Sequence, residues 1–238
     1  MLLSEPPMFQ IKICGITTPE DALTALSAGA DALGLNFYAK SPRFIDVSVA
    51  REIAQRAHAQ SPGGKIVGVF VNATAAEISS VRAEVGLNLI QLSGDEPPSL
   101  LAELAKLGVA PTTIVRALRV PPGGEEAARG YLDECRRLDC LPGMILWDAY
   151  DATQFGGTGR VADWDLAARW VAEGTTPPLA LAGGLKPDNV RKAIRAVRPA
   201  AVDTASGVES APGRKDADAV RRFVAEARAA FDNSAPRD

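Results

Sequence analysis

The feature that most constrains this chain is an alternation of short apolar runs with helical segments, repeated eight times. Apolar runs of strand length fall at about 9–14, 32–37, 66–71, 87–92, 113–120, 144–148, 179–182 and 201–203. Strands that alternate with helices predict one parallel sheet. Eight such units, with strands apolar on both faces, predict a single (β/α)8 (TIM) barrel. A doubly wound open sheet is the alternative, although it normally contains fewer units.

The domain organisation follows from the same pattern. The chain has 238 residues and is 47% hydrophobic, which is enough for a sizeable core. Because no linker interrupts the alternation, we expect residues 1–238 to form one barrel domain. Segments rich in Pro, Asp and Ser predict frayed ends at about 1–8 and 232–238.

Composition excludes several classes of function. The net charge is -3, so no basic surface indicates a nucleic-acid partner, and no apolar run is long enough for a membrane span. The N-terminal segment lacks a basic region followed by an apolar one, which favours a cytoplasmic protein. Three cysteines do not suggest a disulfide framework. A single histidine, His58, leaves no His-rich zinc site and allows a catalytic triad only if it takes part.

The first predicted strand ends in a thiol. Alternation along this strand places Phe9, Ile11 and Ile13 on one face, and Lys12 and Cys14 on the other. A glycine and then a Thr-Pro pair follow, which predict a tight turn and a helix N-terminus. Backbone N–H groups there would favour the thiolate and lower the pKa of the cysteine. The alternative is a cysteine that packs as a small buried hydrophobe.

Active groups of such barrels lie at the C-terminal ends of the strands. This rule selects Cys14, Asn36, Arg43, Gln91, Ser93, Asp148 and Asp203. Lys12 and Arg116 are expected to point into the barrel beneath them and to need carboxylate partners such as Asp203. Each candidate has a plainer interpretation, since Asp148 could cap a turn and Arg43 could be a solvated surface cation.

Glycine-rich turns follow the last two predicted strands. Gly183 and Gly184 come after strand seven, and Ser206 and Gly207 after strand eight. Backbone N–H groups in such turns can surround a phosphate, and barrel enzymes commonly hold one there. Turn and capping roles are the alternative. A further Gly-rich segment at 156–159 is not followed by Lys-Ser or Lys-Thr, so it is no Walker loop, and we interpret it as a lid hinge.

Together these motifs resemble the phosphoribosylanthranilate isomerase family of tryptophan biosynthesis. The similarity runs in register from about residue 10 to 231 and rests on six ordered motifs. They are Lys-Ile-Cys-Gly-Ile-Thr at 12–17, Val-Gly-Val-Phe-Val-Asn at 67–72, Gln-Leu-Ser-Gly-Asp-Glu at 91–96, Gly-Gly-Thr-Gly at 156–159 with Asp-Trp at 163–164, Ala-Gly-Gly-Leu at 182–185 with Pro-Asp-Asn-Val at 187–190, and the segment 203–209 with Pro-Gly at 212–213.

The resemblance implies an Amadori rearrangement of N-(5-phosphoribosyl)anthranilate to 1-(2-carboxyphenylamino)-1-deoxyribulose 5-phosphate. By the family's pattern Cys14 is the general base and Asp148 the general acid, and Arg43 binds the anthranilate carboxylate. The Gly183/Gly184 and Ser206/Gly207 turns would hold the phosphate, with Asp203 also among the substrate-binding residues. One acid and one base suffice for this chemistry, so we expect no cofactor and no metal. No obligatory protein partner is evident.

The chain departs from the family pattern at two positions. Ser93 stands where the family usually has His, and Ala205-Ser206 replaces a Ser-Ser pair. The first change leaves any role for position 93 open. Two other functions are the alternatives. An aldose–ketose isomerase of histidine biosynthesis would use two aspartates, and Cys14 in place of the first argues against it. A non-catalytic phospholigand-binding barrel would tolerate loss of Cys14 or Asp148, but both are present.

Overall fold

Eight parallel strands, paired in chain order, close into a barrel. The structure is a computed structural model that describes residues 7–121, 123–148, 163–174 and 177–233. The strands are Ile11–Cys14 (β1), Ala32–Asn36 (β2), Lys65–Phe70 (β3), Leu89–Leu92 (β4), Ile114–Leu118 (β5), Met144–Trp147 (β6), Leu179–Leu181 (β7) and Ala201–Thr204 (β8). Pairing of β1 with β8, in which Lys12 lies beside Asp203, closes the barrel. The predicted (β/α)8 fold is therefore confirmed.

Eight α-helices among the described residues surround the strands. They are Pro19–Ser27 (α1), Val47–Gln60 (α2), Ala75–Val85 (α3), Pro98–Lys106 (α4), Glu125–Arg137 (α5), Trp164–Ala172 (α6), Val190–Val197 (α7) and Ala217–Asp232 (α8). Short 3-10 helices occur at Pro111–Thr113 and Ser206–Val208. None of the helices in the described part of the chain is long and apolar enough to cross a bilayer.

The helix ends follow local sequence signals. Thr18 caps α1, as predicted, because its hydroxyl accepts a hydrogen bond from the Asp21 N–H at 3.2 Å. Thr74 and Glu77 form a reciprocal capping box at the start of α3. The same helix ends at Gly86, whose φ of 77° is left-handed and favours glycine. These signals position the turns between helices and strands.

Apolar side chains form two clusters, one on each side of the barrel wall. The interior cluster consists largely of small and medium residues, namely Phe9, Ala32, Val67, Leu89, Val115, Ala117, Met144, Leu146, Ala180, Ala182 and Ala201. The larger cluster lies between strands and helices and includes Ile11 and Ile13. Strand alternation therefore leaves Lys12, Cys14 and Asp203 on the inward face, above the interior cluster.

Two of the predicted side-chain directions are wrong. Phe9 belongs to the interior cluster rather than to the face of Ile11 and Ile13, because β1 begins only at Ile11 and the alternation does not reach it. Arg116 does not point into the barrel. Its sequence neighbours fill the interior, while its own guanidinium lies 5.0 Å from the ring of Tyr131 on α5 and bonds Glu96 at 2.8 Å.

The segment before the last helix also differs from the prediction. The sequence pattern predicts the last helix over 215–231. Instead, residues Glu209–Ala211 (β9) and Arg214–Lys215 (β10) form an antiparallel hairpin, and α8 begins at Ala217. The sequence pattern also predicts a helix over 187–197. The helix α7 begins only at Val190, after a turn in which the Asn189 side chain accepts a hydrogen bond from the Lys186 N–H. The predicted lid hinge at 156–159 lies outside the described residues, as do most of the predicted frayed ends. A single domain over the whole chain stays a prediction.

Candidate active site

A cavity of about 610 Å³ opens at the C-terminal ends of the barrel strands. A cavity of this size can hold a small organic ligand. All the site residues predicted from the sequence line it, namely Cys14, Arg43, Asp148, Gly183, Gly184, Asp203, Ser206 and Gly207. Asn36, Gln91 and Ser93 line it as well. The barrel therefore brings together residues that are far apart in the chain.

Cys14 is the last residue of β1 and packs closely against the neighbouring strand β2. The following residue, Gly15, has a φ of 73° and donates its N–H to the Gly34 carbonyl on β2. A Cβ atom on Gly34 would lie 2.6 Å from the Cys14 Sγ, so the glycine makes room for the thiol. Burial raises the pKa of Cys14; Lys12 opposes this and the Asp203 carboxylate adds to it. The expected lowering of this pKa by backbone N–H groups is therefore wrong in the free protein.

Lys12 and Asp203 form a buried ion pair beneath the thiol. The Lys12 Nζ lies 2.9 Å from Asp203 Oδ2, and the lysine is fully buried. Burial alone would lower the pKa of Lys12, but the carboxylate outweighs it and the pKa is raised, so the lysine stays charged. The expected carboxylate partner of Lys12 is therefore confirmed. The other oxygen, Asp203 Oδ1, has no hydrogen-bond partner within the described ranges.

Asp148 follows β6 directly, at the rim of the cavity. Its N–H donates to the Leu118 carbonyl of β5 at 3.2 Å, which extends the strand pairing by one residue and fixes the main chain there. The side chain is half-buried and lines the cavity. A carboxyl group and a thiol from different strands thus face the same space.

The two glycine-rich turns pack against each other. Gly183 and Gly184 both have left-handed backbone, with φ of 78° and 64°. A Cβ on Gly207 would lie 1.9 Å from the Leu185 carbonyl oxygen, so only glycine allows the two turns to approach this closely. The Thr204 hydroxyl also donates to that carbonyl at 2.7 Å. The resulting unit presents two backbone turns to one side of the cavity.

Arg43 is not a solvated surface cation. It is 8% exposed, and its Nε and Nη2 donate to the two oxygens of Glu209 at 2.8 and 2.7 Å. The strand-end rule does not select Glu209, although it lies within the 203–209 motif. Lys215 was likewise missed, because helical periodicity placed it in the final helix. No local sequence signal links these residues to Arg43.

Ser93 accepts a hydrogen bond from Gln91 Nε2 at 3.0 Å. Gln91 is buried, and its Oε1 has no partner in the described part of the chain. No group of three or more His, Cys, Asp and Glu side chains among the described residues could hold a metal ion. The wall at strand four is therefore polar but uncharged at these two positions.

The fold is a (β/α)8 barrel, and its cavity lies at the C-terminal rim, where enzymes of this fold hold their active sites. Residues 11–226 match the family model described as N-(5'phosphoribosyl)anthranilate (PRA) isomerase. A Trichlorobacter lovleyi protein named N-(5'-phosphoribosyl)anthranilate isomerase is 43% identical over 231 residues, covering 94% of this chain and 100% of that protein. A Pseudomonas aeruginosa protein of the same name is 45% identical over 220 residues, covering 92% of this chain and 94% of its own.

Solved structures of the same family are also similar to this chain. The Thermotoga maritima phosphoribosyl anthranilate isomerase is 37% identical, with a TM-score of 0.79, and the match covers 93% of this chain and 99% of that one. A phosphoribosyl anthranilate isomerase in complex with reduced 1-(o-carboxyphenylamino)-1-deoxyribulose 5-phosphate is also 37% identical, with a TM-score of 0.76 and the same coverage. The chain belongs to the N-(5'-phosphoribosyl)anthranilate isomerase family.

Proposed function

We propose that Cys14 is the general base and Asp148 the general acid of the family's reaction. The protein is an isomerase that converts N-(5-phospho-β-D-ribosyl)anthranilate to 1-(2-carboxyphenylamino)-1-deoxy-D-ribulose 5-phosphate. The observation that carries the assignment is that a strand-end thiol and a strand-end carboxyl group line one cavity, beside two glycine-rich turns.

The reaction needs one proton delivered and one removed. Ring opening requires a proton on the ribose ring oxygen, which we assign to Asp148. The resulting Schiff base loses a proton from C2′ to form the enolamine, and we assign this step to Cys14. Tautomerisation of the enolamine then gives the ketose. The cationic Schiff base would favour the thiolate, so substrate can offset the raised pKa of the half-buried Cys14.

The ends of the substrate are assigned by charge. The turns at Gly183/Gly184 and Ser206/Gly207 would hold the phosphate through backbone N–H groups. Arg43 would hold the anthranilate carboxylate, using N–H donors other than those given to Glu209, since a guanidinium has five. Asp203 lies on the inward face of β8 and lines the cavity, where its carboxylate could accept a hydrogen bond from a sugar hydroxyl.

The activity is tested by generating the substrate in situ with the purified protein. Phosphoribosylanthranilate is formed from anthranilate and phosphoribosyl pyrophosphate by a coupling enzyme, and loss of the fluorescence of the adduct is followed. Fluorescence should fall at a rate proportional to the concentration of this protein. Persistence of the adduct, with tight binding of the product analogue, would instead indicate a non-catalytic phospholigand barrel.

Finer features of the protein's setting belong to the same proposal. From the sequence we expect a cytoplasmic location and no obligatory protein partner. We also expect a single barrel domain over the whole chain. Limited proteolysis tests the last of these, because a second independently folded unit would survive as a separate fragment. Fractionation of cells that produce the protein tests its location.

A further inference from the structure

A chain of three charged side chains lies beside the cavity, and the reaction steps above do not use all of it. It consists of Arg43, Glu209 and Lys215, and we call it the rim triad. Arg43 Nη2 lies 2.7 Å from Glu209 Oε2, and Lys215 Nζ lies 2.7 Å from Glu209 Oε1. The three side chains are 10%, 4% and 0% exposed, so the triad is nearly excluded from water.

Lys215 joins three parts of the site. Besides Glu209, its Nζ donates to the Cys14 carbonyl at 2.6 Å and to the Ala205 carbonyl at 3.2 Å. These three acceptors match the three donors of an ammonium group. The lysine therefore ties the end of β1, which carries the proposed base, to the loop after β8, which carries one of the proposed phosphate turns.

Glu209 fixes the plane of the Arg43 guanidinium. Two parallel hydrogen bonds to Nε and Nη2 hold the side of the guanidinium, which leaves the Nη1 end directed away from Glu209. The stem of Arg43 also crosses Gly15 closely, since a Cβ atom there would lie 2.3 Å from the arginine Cδ. The arginine is thus clamped between a carboxylate on the hairpin and the turn after Cys14.

The charges of the triad do not cancel. Burial lowers the pKa of Lys215 below its ordinary value, and the bond to Glu209 opposes this. With the lysine protonated, two cations and one anion leave one excess positive charge next to the cavity. Burial raises the pKa of Glu209, but the bonds from Arg43 and Lys215 outweigh it and the pKa lies below the ordinary value, so the carboxylate stays ionised. An excess buried cation favours an anionic ligand group at this edge of the cavity.

We propose that Glu209 and Lys215 are positioning residues: Glu209 orients Arg43 toward a ligand carboxylate, and Lys215 locks Glu209, Cys14 and the loop after β8 into one arrangement. The inference rests on the proposed role of Arg43 as the carboxylate clamp. It adds that the specificity for a carboxylated aromatic amine depends on a residue that does not itself touch the carboxylate.

The test compares two product analogues that differ only in the carboxylate. One is the reduced product, 1-(2-carboxyphenylamino)-1-deoxyribitol 5-phosphate, and the other is the aniline analogue that lacks the carboxyl group. Inhibition constants for both are measured on the wild type, Arg43→Ala and Glu209→Gln. The wild type should prefer the carboxylated analogue by about tenfold or more, the range of a hydrogen-bonded ion pair. Arg43→Ala and Glu209→Gln should both lose most of this preference.

A structural role alone would not give this pattern, because general loosening weakens both analogues equally. The matched control is Glu226→Gln, which breaks an Arg–Glu pair of 2.6 Å between α7 and α8 on the surface. It should leave both inhibition constants unchanged. If Glu209→Gln does not fold, Glu209→Asp shortens the side chain by one methylene group and is used instead.

The outcomes separate the two proposals. If the wild type does not discriminate between the analogues, or Arg43→Ala retains the discrimination, the carboxylate clamp itself is wrong. If Arg43→Ala loses the preference while Glu209→Gln keeps it, the clamp stands and the positioning role of Glu209 is refuted. For Lys215→Met we expect kcat to fall about tenfold or more, because the main chain at Cys14 is released. An unchanged kcat in a folded Lys215→Met variant would refute the role of the lysine.

Discussion

Alkylation of Cys14 should depend steeply on pH. Burial raises the pKa of this thiol above its ordinary value of 9.0, and only the thiolate reacts quickly with iodoacetamide. A thiol whose pKa is 9.0 is about 1% ionised at pH 7, so Cys14 should react there at less than about a hundredth of its limiting rate. The rate should rise about tenfold for each pH unit and reach no plateau below that ordinary value.

The Lys12–Asp203 ion pair offers a way to change the pKa of Cys14. The Asp203 carboxylate raises the pKa of Cys14, whereas the Lys12 ammonium lowers it. Asp203→Asn removes the anion and leaves the lysine beside the thiol. The pKa of Cys14 should then fall, and alkylation at pH 7 should become faster than in the wild type.

The assay is peptide mass mapping at successive times and pH values. Cys135 and Cys140 serve as internal controls, since both are fully buried, and burial raises the pKa of Cys135 to about 12. Cys14 should be modified first, in step with loss of activity, and a product analogue should protect it. A plateau below the ordinary thiol pKa, slower reaction in Asp203→Asn, or first modification at Cys135 or Cys140 would refute the reasoning.

Three further outcomes follow from the site. Lys12→Met should lower the free energy of unfolding in urea by about 3–5 kcal/mol, because it strands the buried Asp203 carboxylate; a loss below about 1 kcal/mol would contradict the buried pair. Gly207→Ala should raise the KM about tenfold, since a Cβ would lie 1.9 Å from the Leu185 carbonyl and push the two turns apart; an unchanged KM would mean that the turns do not hold the substrate. Arg43→Ala should act mainly on KM rather than on kcat, and a normal KM for the anthranilate substrate would exclude it as the clamp.

Much of the site could be predicted because strand alternation and barrel closure act together. Lys12 and Cys14 share a face of β1, and a closed barrel of parallel strands brings strand one beside strand eight and hence Lys12 beside Asp203. The position of Asp148 follows from the same rule, since it is the first residue after β6. These predictions needed only the strand order and the direction of the strands.

Arg116 shows where that reasoning fails. Every residue of β5 is buried, so both faces of the strand are apolar and the alternation has no phase that the sequence reveals. The prediction placed the arginine in the barrel, whereas its partners Glu96 and Tyr131 lie on the outer side. A single charged residue in such a strand points to the face on which a carboxylate can pair with it. Here that carboxylate belongs to Glu96, which is 20 residues away in sequence, so the pattern of the strand itself does not reveal the direction.

Lys215 was missed for a different reason. Its pattern fits the helix that follows, but the hairpin places it two residues before α8. Its acceptor on Cys14 is separated from it by 201 residues, and that contact exists only once the barrel has closed. Interactions of this range leave no periodic trace in one sequence, so the rim triad emerges only from the structure.

The central claim is that Cys14 and Asp148 are the base and the acid of the isomerisation. The most direct measurement is kcat for Cys14→Ala and Asp148→Asn with substrate generated in situ, together with circular dichroism to confirm folding. We expect each variant to fold and to lose at least about 10²-fold in kcat. Near-normal turnover in either folded variant would contradict the assignment of that residue.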